Sequence, residues 1–357
     1  MTQRVQNIYL VPTKELAQNL PFVPESSRES AGTAHIMPHC CIETEYGDWA
    51  LEGTIYTANH HLPKYAGMPA PCNVELPYRY HLTLPMGVNI IVSHIDLDTV
   101  LGVMGLMGEW YFVPKKFREV AEFIDLNGPH HIHKFDQETQ DLFNAYWAWN
   151  ALPENRAPRA TEITDVTGVI FKYIQFFELL FDLYAHNSPP LIEAGREWAA
   201  NIQRETESKL LMETENYRVF STDGVFCGAS YYSPTHRTIA KVCISFNEKF
   251  KAITVSCSDG SLDCRALVQS LWGPEAGGHK GIAGSPRGMS MGETELKRAV
   301  HTVKRAILKP KVYACMEYTG ECYYDWQCYP LCPALKKCVE GVLEWGNIVT
   351  VDQVDWE

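Results

Sequence analysis

Five residues constrain this chain most: His94-Ile95-Asp96-Leu97-Asp98, set between two apolar runs. Val88-Asn89-Ile90-Ile91-Val92-Ser93 is rich in β-branched residues and reads as a short buried strand. Val100 to Met107 reads as the start of a tightly packed helix. An imidazole and two carboxylates thus leave a strand end together, where open α/β sheets place their chemistry. In an extended turn, His94, Asp96 and Asp98 alternate with apolar neighbours and can converge on one side. A core has no use for that arrangement; a divalent cation does.

With 357 residues the chain is long enough for two domains, each with its own core. Apolar residues make up 46% and charged ones 21%, a balance that argues against extensive disorder. A formal net charge of −12 disfavours clamping of long duplex nucleic acid but leaves room for a small anionic ligand. Met1-Thr2-Gln3-Arg4 lacks the pattern of a signal peptide. The most apolar stretch, Val169 to Tyr184, is broken by Lys172, Glu178 and Asp182, so it reads as a buried helix and not a membrane span. Twelve cysteines without a secretory signal point to reduced thiols or metal ligands, and a cytoplasmic protein is expected.

The expected fold class is α/β. Residues 1–188 form a mainly parallel-sheet domain of short strands and His- and Pro-rich loops, and 189–214 a helical connector begun by Pro189-Pro190. Residues 215–310 form a smaller α/β domain with a mixed sheet, and 311–357 a Cys- and aromatic-rich extension. Helical stripes run through Leu142, Phe143, Tyr146 and Trp147 and through Ile174, Phe177, Leu180 and Phe181. Tyr217–Ser221, Val225–Tyr232, Ala240–Phe246 and Phe250–Cys257 read as strands. A helix over about 262–271 leads into Gly277-Gly278-His279-Lys280-Gly281-Ile282-Ala283-Gly284. Such glycines let amide N–H groups approach phosphate oxygens, with His279, Lys280 and Arg287 as charged neighbours; an ordinary glycine turn is the plainer reading.

Together, the strand-end His-x-Asp-x-Asp and the later Gly-Gly-His-x-x-x-Ala-Gly resemble the DHH phosphoesterases and their DHH-associated substrate-binding module. Val255-Ser256-Cys257-Ser258 extends the likeness, although Cys257 stands where relatives often carry an arginine, leaving Arg265 or Arg287 for that role. The resemblance covers roughly 217–308 and 88–107. It implies one or two Mn2+ (or Mg2+) ions, a metal-activated water and attack on phosphorus. By the same resemblance His94, Asp96 and Asp98 are ligands, and Asp125, read as the next carboxylate at a strand end, bridges the ions; a helix or turn cap is the plainer role for Asp125. The namesake triplet is missing as such. Asn59-His60-His61, after the strand Gly53–Ala58, has the right context but comes before His94 and carries an amide for an acid. His130-His131 follows Asp125 in a loop and remains the other candidate.

The expected activity is therefore hydrolysis of a phosphodiester or phosphomonoester in a small nucleotide or short oligonucleotide. His60, His61, Asp96, Asp98 and Asp125 would carry the chemistry, and Gly277, Gly278, His279, Lys280 and Arg287 would hold substrate. The alternative is a catalytically weakened nucleotide-binding or sequestering protein of the same fold, since Asn59 removes a charge from the site. Neither a membrane nor long duplex nucleic acid is an expected partner, and a homodimer is open. Cys315, Cys322, Cys328, Cys332 and Cys338 could hold a structural zinc, yet their spacing lacks paired Cys-x-x-Cys knuckles, and small buried thiols are the other reading.

Overall fold

The computed structural model describes residues 5–20, 39–44, 54–60, 68–73, 87–109, 112–158, 160–182, 187–223, 228–286 and 288–307, with the backbone of 313–314 and 321–322. His61, Arg287 and the side chains of the carboxy-terminal cysteine cluster lie outside the described residues. The chain divides into two compact units, Met1–Leu296 and Lys297–Glu357.

The first unit is α/β and holds two sheets. Strand β1 (Val5–Leu10) leads to a short helix α1 (Lys14–Gln18), then to β2 (His39–Ile42), β3 (Thr54–Ala58) and β4 (Val88–Val92). These four strands are parallel, and the two-residue β5 (Thr164–Asp165) closes the sheet antiparallel to β1, in the order β3-β2-β4-β1-β5. Every residue of β4 is buried, as expected for a strand with neighbours on both edges and packing on both faces. Each Val or Ile buried this way contributes about 2 kcal/mol.

Helix α2 (Leu97–Met107) is buried nearly all round, starts on the Asp96 cap and stops at Gly108 in the left-handed region. α3 (Lys115–Asn127) is amphipathic, with Phe117, Val120 and Ala121 inward. A 3₁₀ turn, Pro129–Lys134, joins it to α4 (Gln137–Ala151), which is followed by α5 (Thr167–Leu180). Among the described residues no helix is long and apolar enough to cross a membrane. The described part of the 169–184 stretch, residues 169–182, packs instead: Ile170, Tyr173, Ile174 and Phe177 sit in the main core with Phe117, Phe143 and Tyr146.

α6 (Pro189–Ser208) begins at the tandem prolines and packs along α4, where Arg196 pairs with Asp141 at 2.5 Å. The second sheet starts at once with β6 (Leu210–Glu213), followed by β7 (Tyr217–Thr222). The strand expected over 225–232 is corrected. Residues 224–227 lie outside the description, Gly228–Tyr231 is a 3₁₀ turn, and only β8 (Tyr232–Ser233) is extended, paired with β9 (Thr238–Ile239). Buried Tyr231 anchors that turn in a cluster with Phe220, Ala240 and Cys243, so apolar content here reflects packing and not pleat. β10 (Val242–Asn247), β11 (Ala252–Cys257), α7 (Cys264–Trp272), β12 (Gly277–Gly278) and β13 (Ile282–Gly284) complete the mixed sheet, ordered β12-β13-β11-β10-β7-β6. Fully buried Arg218 in β7 meets Glu207 from α6 and Glu213 from β6, which fastens the sheet edge to the helix. α8 (Glu293–Ile307) runs from the first unit into the second, where β14 (Tyr313–Ala314) pairs with β15 (Glu321–Cys322).

Candidate metal centre

Strand register builds the site. Ile42 pairs with Ala58 on one side and with Val92 on the other, so the residues that follow these three strands fall side by side. Glu43 N–H donates to Ala58 O at 2.9 Å, and Ser93 Oγ donates to Glu43 O at 2.5 Å. Glu43, His60 and the 93–98 segment therefore line the carboxyl ends of β2, β3 and β4, the edge where open α/β sheets bind ligands. Glu43 has φ of +46°, a strained conformation for a residue with a side chain.

His60 is the centre of the cluster. Its Nδ1 lies 3.4 Å from Glu43 Oε1 and 3.8 Å from Asp98 Oδ2, and its Nε2 lies 3.3 Å from Asp125 Oδ2. His279, from the second sheet, stacks over His60 with ring centroids 6.1 Å apart and places Nε2 3.9 Å from Asp125 Oδ2. The donor atoms of His60, Asp125 and His279 lie within 4.8 Å of one another, as do those of Glu43, His60 and Asp98. Asp98 is 4% exposed, and its Oδ1 accepts the Cys72 N–H at 2.7 Å. Its Oδ2 has no hydrogen-bond donor among the described residues.

The electrostatics match the geometry. Burial, then the charges of Asp96 and Asp125, push the Asp98 carboxyl up to about 7, against partial relief from Cys72. Burial alone would lower the His60 pKa, but Asp125 and Asp98 outweigh it and raise the imidazole above its usual value. Asp125 also sits in the last turn of α3. Three carboxylates and two imidazoles thus converge where negative charge is under strain. That donor set fits a hard or borderline divalent cation.

The arrangement differs from a single extended turn of ligands. Asp96 caps α2, accepting Thr99 N–H at 2.9 Å, so Asp98 already lies in the helix and turns toward His60. His94 and Asp96 pair with each other at 3.1 Å on the rim, and the His94 charge holds Asp96 below the usual carboxylate range although burial opposes it. Asp125 is not at a strand end: Glu122–Asn127 continues α3, because Phe117, Val120, Ala121 and Ile124 repeat at helical spacing. The Asn59 side chain donates to Thr44 O at 2.7 Å and braces the turn beside Glu43.

The glycine-rich octamer is a β-hairpin. Gly277 pairs with Gly284 and Gly278 with Ala283, and the His279 N–H donates to Ile282 O at 2.7 Å. Its glycines serve a close approach: a Cβ on Gly281 would sit 2.7 Å from Asn127 O, so only a bare backbone lets the hairpin meet the end of α3. That approach delivers His279 to Asp125. Lys280 is exposed at the turn, and Arg265 is exposed near the start of α7.

His130 and His131 lie away from the donor cluster. The His130 Nε2–H donates to Cys257 O at 3.0 Å, and burial brings the two imidazoles down to about 3 and about 4. Cys40 and Cys41 are buried in β2, their thiols pushed up to about 12 and about 11, chiefly by burial. Glu43 escapes a sequence reading because the short run Cys40-Cys41-Ile42 is not rich in β-branched residues. Its signal is an acid directly after a short buried run.

No family model matches this sequence, and no curated protein does. Among solved structures, the chain is similar to PggH, a pGpG-specific phosphodiesterase from Vibrio cholerae, with a TM-score of 0.33 and 11% identity over 62% of this chain and 79% of that one. It is also similar to an exopolyphosphatase-related protein from Bacteroides fragilis, with a TM-score of 0.27 and 13% identity. That match covers 62% of this chain and 59% of the other.

Proposed function

We propose that the chain is a divalent-cation-dependent phosphoesterase acting on a small nucleotide or short oligonucleotide. The observation that carries this reading is the meeting of buried Glu43, His60 and Asp98 with half-buried Asp125 and His279, with Asp98 Oδ2 facing the cluster without a hydrogen bond among the described residues. Mn2+ or Mg2+ suits the oxygen-rich set. Such an ion would lower the pKa of a bound water and neutralise charge on a phosphoryl oxygen. Asp98 and Asp125 would hold it, with His60 between them. His279, half-buried at the edge of the cluster with Nε2 3.9 Å from Asp125 Oδ2, would share the ion with Asp125. A short substrate suits a net charge of −12 better than a long polyanion does.

A second reading, binding without turnover, draws on Asn59 and on the His94–Asp96 pair. These groups are engaged with Thr44 and with each other, which leaves, among the described residues, the donors around His60 to hold an ion. Calorimetry with Mn2+, alongside hydrolysis of a dinucleotide panel, separates the two readings. The enzyme reading expects Mn2+-dependent release of mononucleotide that falls at least about a thousandfold in Asp98→Asn and in Asp125→Asn. Mn2+ binding with no turnover of any substrate favours the second. No Mn2+ binding, with both variants unchanged, sinks the metal centre itself.

A further inference from the structure

The Pro129-His130-His131 turn offers ligands by sequence, and the structure employs it elsewhere. His130 is 2% exposed and packs against His131 and Tyr231, with ring centroids 4.2 and 4.9 Å away. A carbonyl oxygen can only accept, so its bond to Cys257 O places the proton on Nε2. Nδ1 is buried with no hydrogen-bond partner among the described residues, which keeps the ring neutral in that tautomer. Gly128, at φ +102°, lets the ring fold back over the helix end: a Cβ there would lie 2.8 Å from His130 Cε1.

Cys257 ends β11, and its own N–H donates to Gly281 O at 2.8 Å. Gly281 in turn rests on Asn127, two residues beyond Asp125. The contacts form a closed circuit. From Asp125 it passes through the end of α3 to His130, across to Cys257, on to Gly281, and returns through His279 to Asp125 at 3.9 Å. His133 adds a second tie from the same turn, donating to Gly228 O at 2.7 Å, but that bond reaches the 228–231 turn and not the hairpin.

We propose that His130 is a positioning residue: its Nε2–H fixes the end of β11, and through it the hairpin that holds His279 opposite Asp125. The role at the metal centre rests on the reading that Asp125 and His279 share a cation. Glutamine can place an amide N–H near the position of the imidazole Nε2, whereas alanine cannot.

The test uses the full chain, free of metal, with amide hydrogen exchange of wild type, His130→Ala and His130→Gln. Loss of one buried hydrogen bond should speed exchange in residues 277–284 about tenfold in the alanine variant, while β4 amides keep their rate. The glutamine variant should return the hairpin to within about twofold of wild type. In calorimetry, Mn2+ affinity should fall about tenfold in the alanine variant and recover in the glutamine variant, since outer contacts tune metal sites on that scale. Hairpin exchange unchanged in His130→Ala overturns the proposal, and so does a glutamine variant as loose as the alanine one. If β4 loosens as well, the glutamine comparison decides alone: rescue supports the proposal and its failure ends it. Because exchange needs no metal, a protein that binds no Mn2+ in any form refutes the cation reading separately.

Discussion

His60 and His130 are both buried imidazoles that follow a regular element, yet their surroundings set them to opposite use. His60, after β3, faces Glu43, Asp98 and Asp125, and the carboxylates hold its pKa up despite burial. His130, after α3, faces a carbonyl oxygen, aromatic rings and nearby cationic groups, and burial brings it down to about 3. One environment has too much negative charge and invites a cation. The other tolerates no charge and uses the ring as a neutral hydrogen-bond donor. Residue type alone does not assign a histidine to chemistry or to architecture; the groups within about 4 Å do.

The largest expected effect breaks the comparison at its centre. His60→Ala should lower Mn2+ affinity on the order of a hundredfold, by calorimetry, while His131→Ala stays within about threefold of wild type. Equal losses would place the ligand set wrongly.

The second effect is on stability against pH, measured by urea unfolding of the metal-free chain at pH 4.5, 5.5 and 6.5. His130 has a folded pKa of about 3 against an ordinary 6.5, so the unfolded chain binds its proton first and stability falls as pH drops from 6.5. Asp98, at about 7 against 3.8, runs the other way: the folded protein keeps a proton the unfolded chain has released, and stability falls as pH rises from about 4 to about 7. In wild type the two slopes oppose each other. Asp98→Asn should steepen the rise of stability with pH, and His130→Gln should flatten it, each by up to about 1.4 kcal/mol per pH unit. Unchanged slopes in both would remove the electrostatic contrast.

The smallest effect lies on the rim. His94 and Asp96 form a partly exposed pair, so His94→Ala should cost less than about 1 kcal/mol of stability. Mn2+ affinity should stay within about threefold, again by calorimetry. A loss matching that of His60→Ala would show that His94 turns inward to bind.

Much of this organisation is legible in the sequence. The run 88–93 followed by His94 to Asp98 marks a strand that runs into a helix through ligand-type residues, and β4 and α2 follow from it. The break at Pro189-Pro190 and the mixed second sheet are legible too, because prolines and short alternating runs act locally. Glu43 is harder to see, since β2 has only four residues and its character comes from lying between β3 and β4. The octamer at 277–284 is ambiguous for a related reason: glycine permits a phosphate loop and a close-packed hairpin equally well, and the hairpin appears only in the fold.

By itself the sequence determined the α/β class, the buried strand β4, the helix break at Pro189-Pro190, and most of the residue types able to bind a cation or carry a proton. These properties depend on side chains a few positions apart. Only the tertiary structure decided that Glu43, His60 and Asp98 share one sheet edge, that Asp125 reaches them from α3, and that His279 arrives from a second sheet. Strand register and the close contact of Gly281 with Asn127 bring together residues more than a hundred positions apart. No local pattern encodes such long-range packing.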